Sequence, residues 1–193
     1  MVGAMTKPVE KTAYDNLVVL AKTQAGALGR LYELYYERIY RFCVHRLFNK
    51  ATAEDITSAV FVTVAGTIRG FKGRTEQDFR SWLFAIAANQ ANAHIRKTSR
   101  RKKLLENAVA TRRAATQPDS GPWTSLDWPL LYAAIMKLKP EHQTILTLRF
   151  FENMGYEEIG RIVDARAATV RVTLHRILHR LNEALGDELG HEE

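Results

Sequence analysis

From Asn107 to Ser125 the chain carries Ala, Thr and Arg followed by Pro118, Gly121 and Pro122, with no sustained apolar period. That composition favours a flexible connector over a packed element. The chain must therefore build its core from two blocks, one on each side of the gap. Its 193 residues have room for one ordinary domain or two small ones, and the gap selects two.

In the first block, Leu28, Leu31, Tyr32, Tyr35, Ile39, Phe42, Cys43 and Leu47 recur at three- and four-residue steps, the period of an amphipathic helix. Thr52-Ala53-Glu54-Asp55 places a hydroxyl three positions before a carboxylate, which predicts a second helix starting there. Its body, Ile56 to Ile68, is read as helix although Val60-Phe61-Val62-Thr63-Val64 would also suit a strand. Gly66, Gly70 and Gly73 break the next stretch, so Phe71 to Thr75 reads as a basic loop with one exposed aromatic. Helical period then resumes with Phe79, Trp82, Leu83, Ile86 and Ala87 on one stripe.

In the second block, Asp127 is placed to cap a helix with Pro129 in its first turn and Leu131, Ile135 and Leu138 on one face. Pro140 closes that helix and opens another, with Ile145, Leu148 and Phe151 directed inward. Tyr156 to Val163 and the stripe Val170, Leu174, Leu178, Leu181, Leu185 complete four helices. The fold class expected is all-α, two small helical domains on a flexible linker.

Twenty-eight Lys and Arg against 21 Asp and Glu leave a net charge of +7, which favours an anionic partner. The charge is concentrated: RKTSRRKK, from Arg96 to Lys103, contains no acid. No apolar run approaches a membrane span or a signal peptide, so a soluble cytoplasmic protein without membrane insertion is expected. The lone Cys43 cannot form an internal disulfide, and helical period places it in a core.

The sequence places no nucleophile beside a base in a recognisable turn and has no phosphate-cradling glycine loop, so no enzyme is expected. His175 and His179 share a helix face, but neither a glutamate between them nor a cysteine nearby completes a metal site. No cofactor is expected.

YEEIGRIV and ATVRVTLHRILHRL, joined by a short turn, have the layout of a helix-turn-helix, whose second helix enters the major groove amino end first. Arg166, Thr169, Arg171, Val172, His175 and Arg176 would lie there, and arginine suits both guanine edges and phosphates. An ordinary helical hairpin with a solvated basic face is the plainer reading. Phe71, Lys72, Arg74, Asn89, Asn92, Arg96 and Lys97, with Arg100 and Arg101 beyond them, mix an aromatic with cations as single-stranded nucleic acid requires. Phe79 and Trp82 lie on the apolar stripe and are read mainly as core.

The phrases LYELYYERIYRFCVHRL, AEDITSAVFVTV and FRSWLFAIAANQANAHIRKTSRRK, followed by LKPEHQTILTLRFFENMGYEEIGRIVDARAATVRVTLHRILHRL, resemble regions 2 and 4 of the bacterial sigma-70 family, in its extracytoplasmic-function group. The resemblance implies a promoter-recognition subunit of RNA polymerase and no enzyme. Region 2 would bind the core polymerase through Glu54, Asp55, Ser58, Phe61 and Val62. It would capture the melted −10 strand with Phe71, Lys72, Arg74, Asn89, Asn92, Arg96, Lys97, Arg100 and Arg101. Region 4 would read the −35 duplex with Arg166, Thr169, Arg171, Val172, His175 and Arg176. Core RNA polymerase, promoter DNA and an anti-sigma factor are the implied partners. Ser58 and Ala59 stand where the family commonly has Gln-Glu, and Asp164 occupies the usual turn glycine.

The division expected is an extension over 1–25, a region 2 domain over 26–104, a linker over 105–126, a region 4 domain over 127–187 and a tail over 188–193. A stand-alone helix-turn-helix regulator and a helical adaptor that does not bind DNA are the competing readings.

Overall fold

A computed structural model describes the backbone of residues 8–108 and 128–189 and the side chains of residues 12–100 and 131–185. Among the described residues there are eight α-helices and no strand. The helices are α1 (Pro8–Leu20), α2 (Ala25–Leu47), α3 (Lys50–Thr67), α4 (Glu76–Ala108), α5 (Trp128–Lys137), α6 (Pro140–Phe150), α7 (Tyr156–Val163) and α8 (Ala167–Leu189).

α2 forms where the three- and four-residue apolar step predicts it, burying Leu31, Tyr35, Ile39, Phe42 and Cys43. It stops at Phe48, whose left-handed backbone (φ 51°) turns the chain toward α3. α3 starts earlier than the Thr52–Asp55 signature predicts. Asn49 is its cap, the side-chain oxygen accepting from the Thr52 backbone N–H at 2.8 Å. The β-branched run stays helical because Val60, Phe61 and Val64 find a buried face. The hydroxyls of Thr57, Thr63 and Thr67 each donate to the carbonyl one turn back, at 2.6–2.9 Å.

Thr75 and Asp78 start α4 by a reciprocal exchange. The Asp78 N–H donates to Thr75 Oγ1, while the Asp78 carboxylate accepts from the Arg74 and Thr75 N–H groups, all at 3.1 Å. The helix then runs through Ala108, so the basic run begun at Arg96 is helical, and residues 105–108 of the expected linker belong to α4. The rest of that linker and the Asp127 cap lie outside the described residues.

Three sequence expectations are corrected by packing. The segment expected as an extension contains α1, with Val18 buried in the main core. Phe151 faces outward and stacks on His45 at 3.9 Å instead of pointing inward. In α8, Ile177 and not Leu178 occupies the buried stripe, because a helical step of three from Leu174 meets the core better than a step of four.

α6 buries six consecutive residues, Gln143 to Leu148. It does so because α2 and α4 cover one side and α7 and α8 the other. One apolar cluster therefore runs from Val18 through Phe42, Phe79 and Phe84 to Leu148, Ile159 and Leu174, joining the two helical units. A smaller cluster of Ala134, Leu146, Ile177 and Leu181 holds α5, α6 and α8 together.

The junction is also polar. Arg46, 1% exposed, donates from Nη1 to Gln143 Oε1 at 2.6 Å, and from Nη2 to Asn92 Oδ1 at 2.6 Å and the Pro140 carbonyl at 3.0 Å. Arg38 on α2 pairs with Glu152 at 3.0 Å, and Arg80 on α4 with Glu158 on α7 at 2.5 Å. Burial pulls the Arg46 guanidinium down to about 10, which leaves it charged at neutral pH.

Candidate nucleic-acid interface

The helix-turn-helix is built from two backbone requirements. Asp164 adopts the left-handed conformation (φ 54°, ψ 53°), and the Ala165 N–H bonds back to the Gly160 carbonyl at 2.9 Å, closing α7 in a Schellman-type turn. Gly160 meets that turn directly: a Cβ there would fall 2.4 Å from the Ala165 carbonyl oxygen. Asp tolerates this backbone better than most residues, which is how the turn survives without its usual glycine.

α8 then buries Val170, Leu174, Ile177 and Leu181 and turns Thr169, Arg171, Val172, His175 and Arg176 to solvent, and Arg166 in the turn before it is exposed too. All six residues expected to read duplex are therefore exposed, one in the turn and the other five on α8. His179 pairs with Glu183 one turn on, at 3.1 Å, rather than with His175. Among the described residues no cluster of three or more His, Cys, Asp or Glu could hold a metal ion.

The single-strand candidates divide. Lys72, Arg74, Asn89, Arg96, Lys97 and Arg100 are exposed along the loop and α4, although Arg96 reaches Glu141 in a solvent-facing pair at 3.0 Å. The Arg101 side chain lies outside the described residues. Phe71 is not the free aromatic expected: its ring stacks on Trp82 at 4.6 Å and is half-buried. Asn92 corrects the prediction further. It is 7% exposed, and its oxygen accepts from Arg46 and from Thr144 Oγ1, because α6 lies across that part of α4.

On α3, Glu54, Asp55, Ser58 and Val62 are exposed along one face, Val62 at 73%. Phe61 leaves that set. It is 9% exposed and packs edge-on against Tyr32 at 4.8 Å, because its neighbour Val62 takes the outward position. Cys43 is buried beside Thr57 and its thiol is pushed up to about 11 by burial, so it is unreactive at neutral pH.

Arg46 was absent from the sequence candidates, yet its signal is present. It continues the buried stripe Tyr35, Ile39, Phe42 at the next step of four, where the pattern demands a buried side chain. Lys22 and Asp15, which touch the 71–75 loop and the start of α4, carry no such periodic signal.

Family models for Sigma-70 region 2 and Sigma-70 region 4 match residues 31–101 and 129–181. RNA polymerase sigma factor CarQ of Myxococcus xanthus is 32% identical over 164 residues, covering 83% of this chain and 90% of CarQ. The chain belongs to the sigma-70 family, in its extracytoplasmic-function group. A second member, ECF RNA polymerase sigma factor BldN of Streptomyces coelicolor, is 30% identical over 86% of this chain, which spans 62% of BldN's own length. The fold of this sigma factor is that of the RpoE chain in its co-crystal structure with NepR from Bartonella quintana, with a TM-score of 0.61, 18% identity, and coverage of 82% of this chain and 96% of that one. α2 to α4 therefore carry region 2, and α5 to α8 carry region 4. No described helix is long and apolar enough to cross a membrane.

Proposed function

We propose that this sigma factor binds core RNA polymerase through the α3 face of Glu54, Asp55, Ser58 and Val62 and directs it to promoters. Region 4 reads the −35 duplex with the α8 face, and region 2 captures the melted −10 strand with the 71–75 loop and the outer side of α4. The observation that carries this reading is the joint exposure of Thr169, Arg171, Val172, His175 and Arg176 in the first turns of α8, directly after the tight turn at Asp164. Phosphate contacts from Lys72, Arg74, Lys97 and Arg100 position the strand, and base contacts specify it. Asn92 joins that surface only once α6 has moved off α4, since its oxygen is held by Arg46 and Thr144.

The family membership carries two further expectations, an anti-sigma partner that covers these surfaces and a cytoplasmic location. No catalytic step falls to this chain under the proposal.

Co-purification of the tagged full chain with core RNA polymerase tests the reading. Wild type should capture core stoichiometrically, and Asp55→Arg with Val62→Asp should lose it while keeping a native circular dichroism spectrum. Wild type that stays free of core, with no inhibitor bound, would overturn the proposal in favour of a stand-alone regulator.

A further inference from the structure

α1 and the turn that follows it grip the loop assigned above to the −10 strand. Asp15 Oδ1 accepts from the Glu76 backbone N–H at 2.6 Å, so the first turn of α4 is anchored to α1 instead of to water. Seven residues on, Lys22 Nζ donates to the Gly73 carbonyl at 2.7 Å and lies 5.4 Å from the centre of the Phe71 ring. Phe71 in turn rests on Trp82, their rings 24° from parallel. Gly73 has no room for a side chain: a Cβ would fall 2.3 Å from Phe71 Cζ and 2.6 Å from Asp78 Cβ.

The loop is thus held from three directions: Trp82 beneath Phe71, Asp78 on the N–H groups of Arg74 and Thr75, and Lys22 on the Gly73 carbonyl. Two of these contacts arise within the loop and the start of α4. The Lys22 contact comes from a distant part of the chain, 51 residues away, and the Asp15 bond to the Glu76 N–H just past the loop comes from the same part. A free loop would lose its backbone freedom when it closed on a strand, and a loop already fixed avoids that loss.

We infer that Lys22, supported by Asp15, is a positioning residue for single-strand capture: it presets the 71–75 loop so that Lys72 and Arg74 face the melted strand before the strand arrives. The inference rests on the −10 assignment of that loop. It gives the amino-terminal helix a part in promoter opening without contact with DNA.

The test uses holoenzyme assembled from full-length chain and core polymerase. A duplex is selected by wild-type holoenzyme from a random-sequence library, and the same sequence is prepared with a premelted −10 segment. Lys22→Met keeps the stem and removes the donor, Lys22→Arg keeps donor and charge, and Lys72→Ala with Arg74→Ala reports the loop itself. Lys22→Met should hold the premelted probe five- to tenfold more weakly with core capture unchanged, Lys22→Arg should stay within twofold of wild type, and hydrogen exchange at residues 73–75 should speed up only in Lys22→Met. If the loop variants lose the probe and Lys22→Met does not, the positioning role is overturned while the −10 assignment stands. Equal loss in Lys22→Met and Lys22→Arg overturns it as well, by assigning the effect to packing. If the loop variants also bind as wild type, or no duplex can be selected, the −10 assignment fails first and takes the inference with it.

Discussion

Arg46 Nη2 donates to Asn92 Oδ1 at 2.6 Å, a buried bond that ties the last turn of α2 to the middle of α4. The same guanidinium reaches Gln143 and the Pro140 carbonyl at the start of α6, so one side chain joins regions 2 and 4. The bond also explains why an asparagine suited to reading a base is withdrawn from the surface.

Arg46→Met keeps most of the volume and removes the donors, leaving Gln143 Oε1 without the Arg46 bond, while the Pro140 carbonyl and Asn92 Oδ1 keep the Thr144 hydroxyl. Each buried group left unsatisfied costs about 1–3 kcal/mol. The variant is expected to lose roughly 1–3 kcal/mol in urea denaturation, and Asn92 should become more accessible to solvent exchange in it.

The turn of the helix-turn-helix gives a pair of opposite effects. Asp164→Gly removes the left-handed penalty on a side chain and should stabilise region 4 by about 0.5–1 kcal/mol. Gly160→Ala drives a methyl onto the Ala165 carbonyl and should cost about 1–3 kcal/mol. Thermal denaturation of the two variants, read against wild type, checks both signs.

On α8 the proposed contacts separate by their distance from the amino end. Arg171→Ala should cost about 1–3 kcal/mol on the selected duplex and relax preference at one base pair. Arg176→Ala, further along, should weaken all duplexes alike and lower the slope of log affinity against log salt by about 1. Titrations at several salt concentrations distinguish the two.

The Asp78 carboxyl is held below the ordinary aspartate range, first by its bond with Thr75 and then by the N–H groups of Arg74 and Thr75. A depressed folded value means that the stabilisation is present above the ordinary aspartate range and is lost as pH falls through the folded value. The amide resonances of Arg74 and Thr75 should therefore titrate with a midpoint below that of a free aspartate. Asp78→Asn should flatten the titration and leave core capture intact.

Much of this protein is local and was legible as such. α2, α6 and α7 follow from apolar period, proline placement and turn residues, because a helix is decided by contacts within four residues of each position. The outward face of α8 follows for the same reason: once Val170 and Leu174 are inward, Thr169, Arg171, Val172 and Arg176 must face away from them. Where local signals competed, the sequence misled by a turn at most. Asn49 took the cap that Thr52 also offered, and Ile177 took the place expected of Leu178.

By itself, then, the sequence determined two helical blocks, a basic seam along α4, the exposed residues of α8 and the family to which the chain belongs. Only the tertiary structure decided that α6 lies buried between regions 2 and 4, that Asn92 and Phe61 point into packing, and that Lys22 and Asp15 brace the 71–75 loop. Periodicity records which side of a helix is apolar, but not which neighbour covers it. Arg46 and Gln143 stand 97 residues apart, and their bond exists only because both helices have already been brought together by the core beneath them.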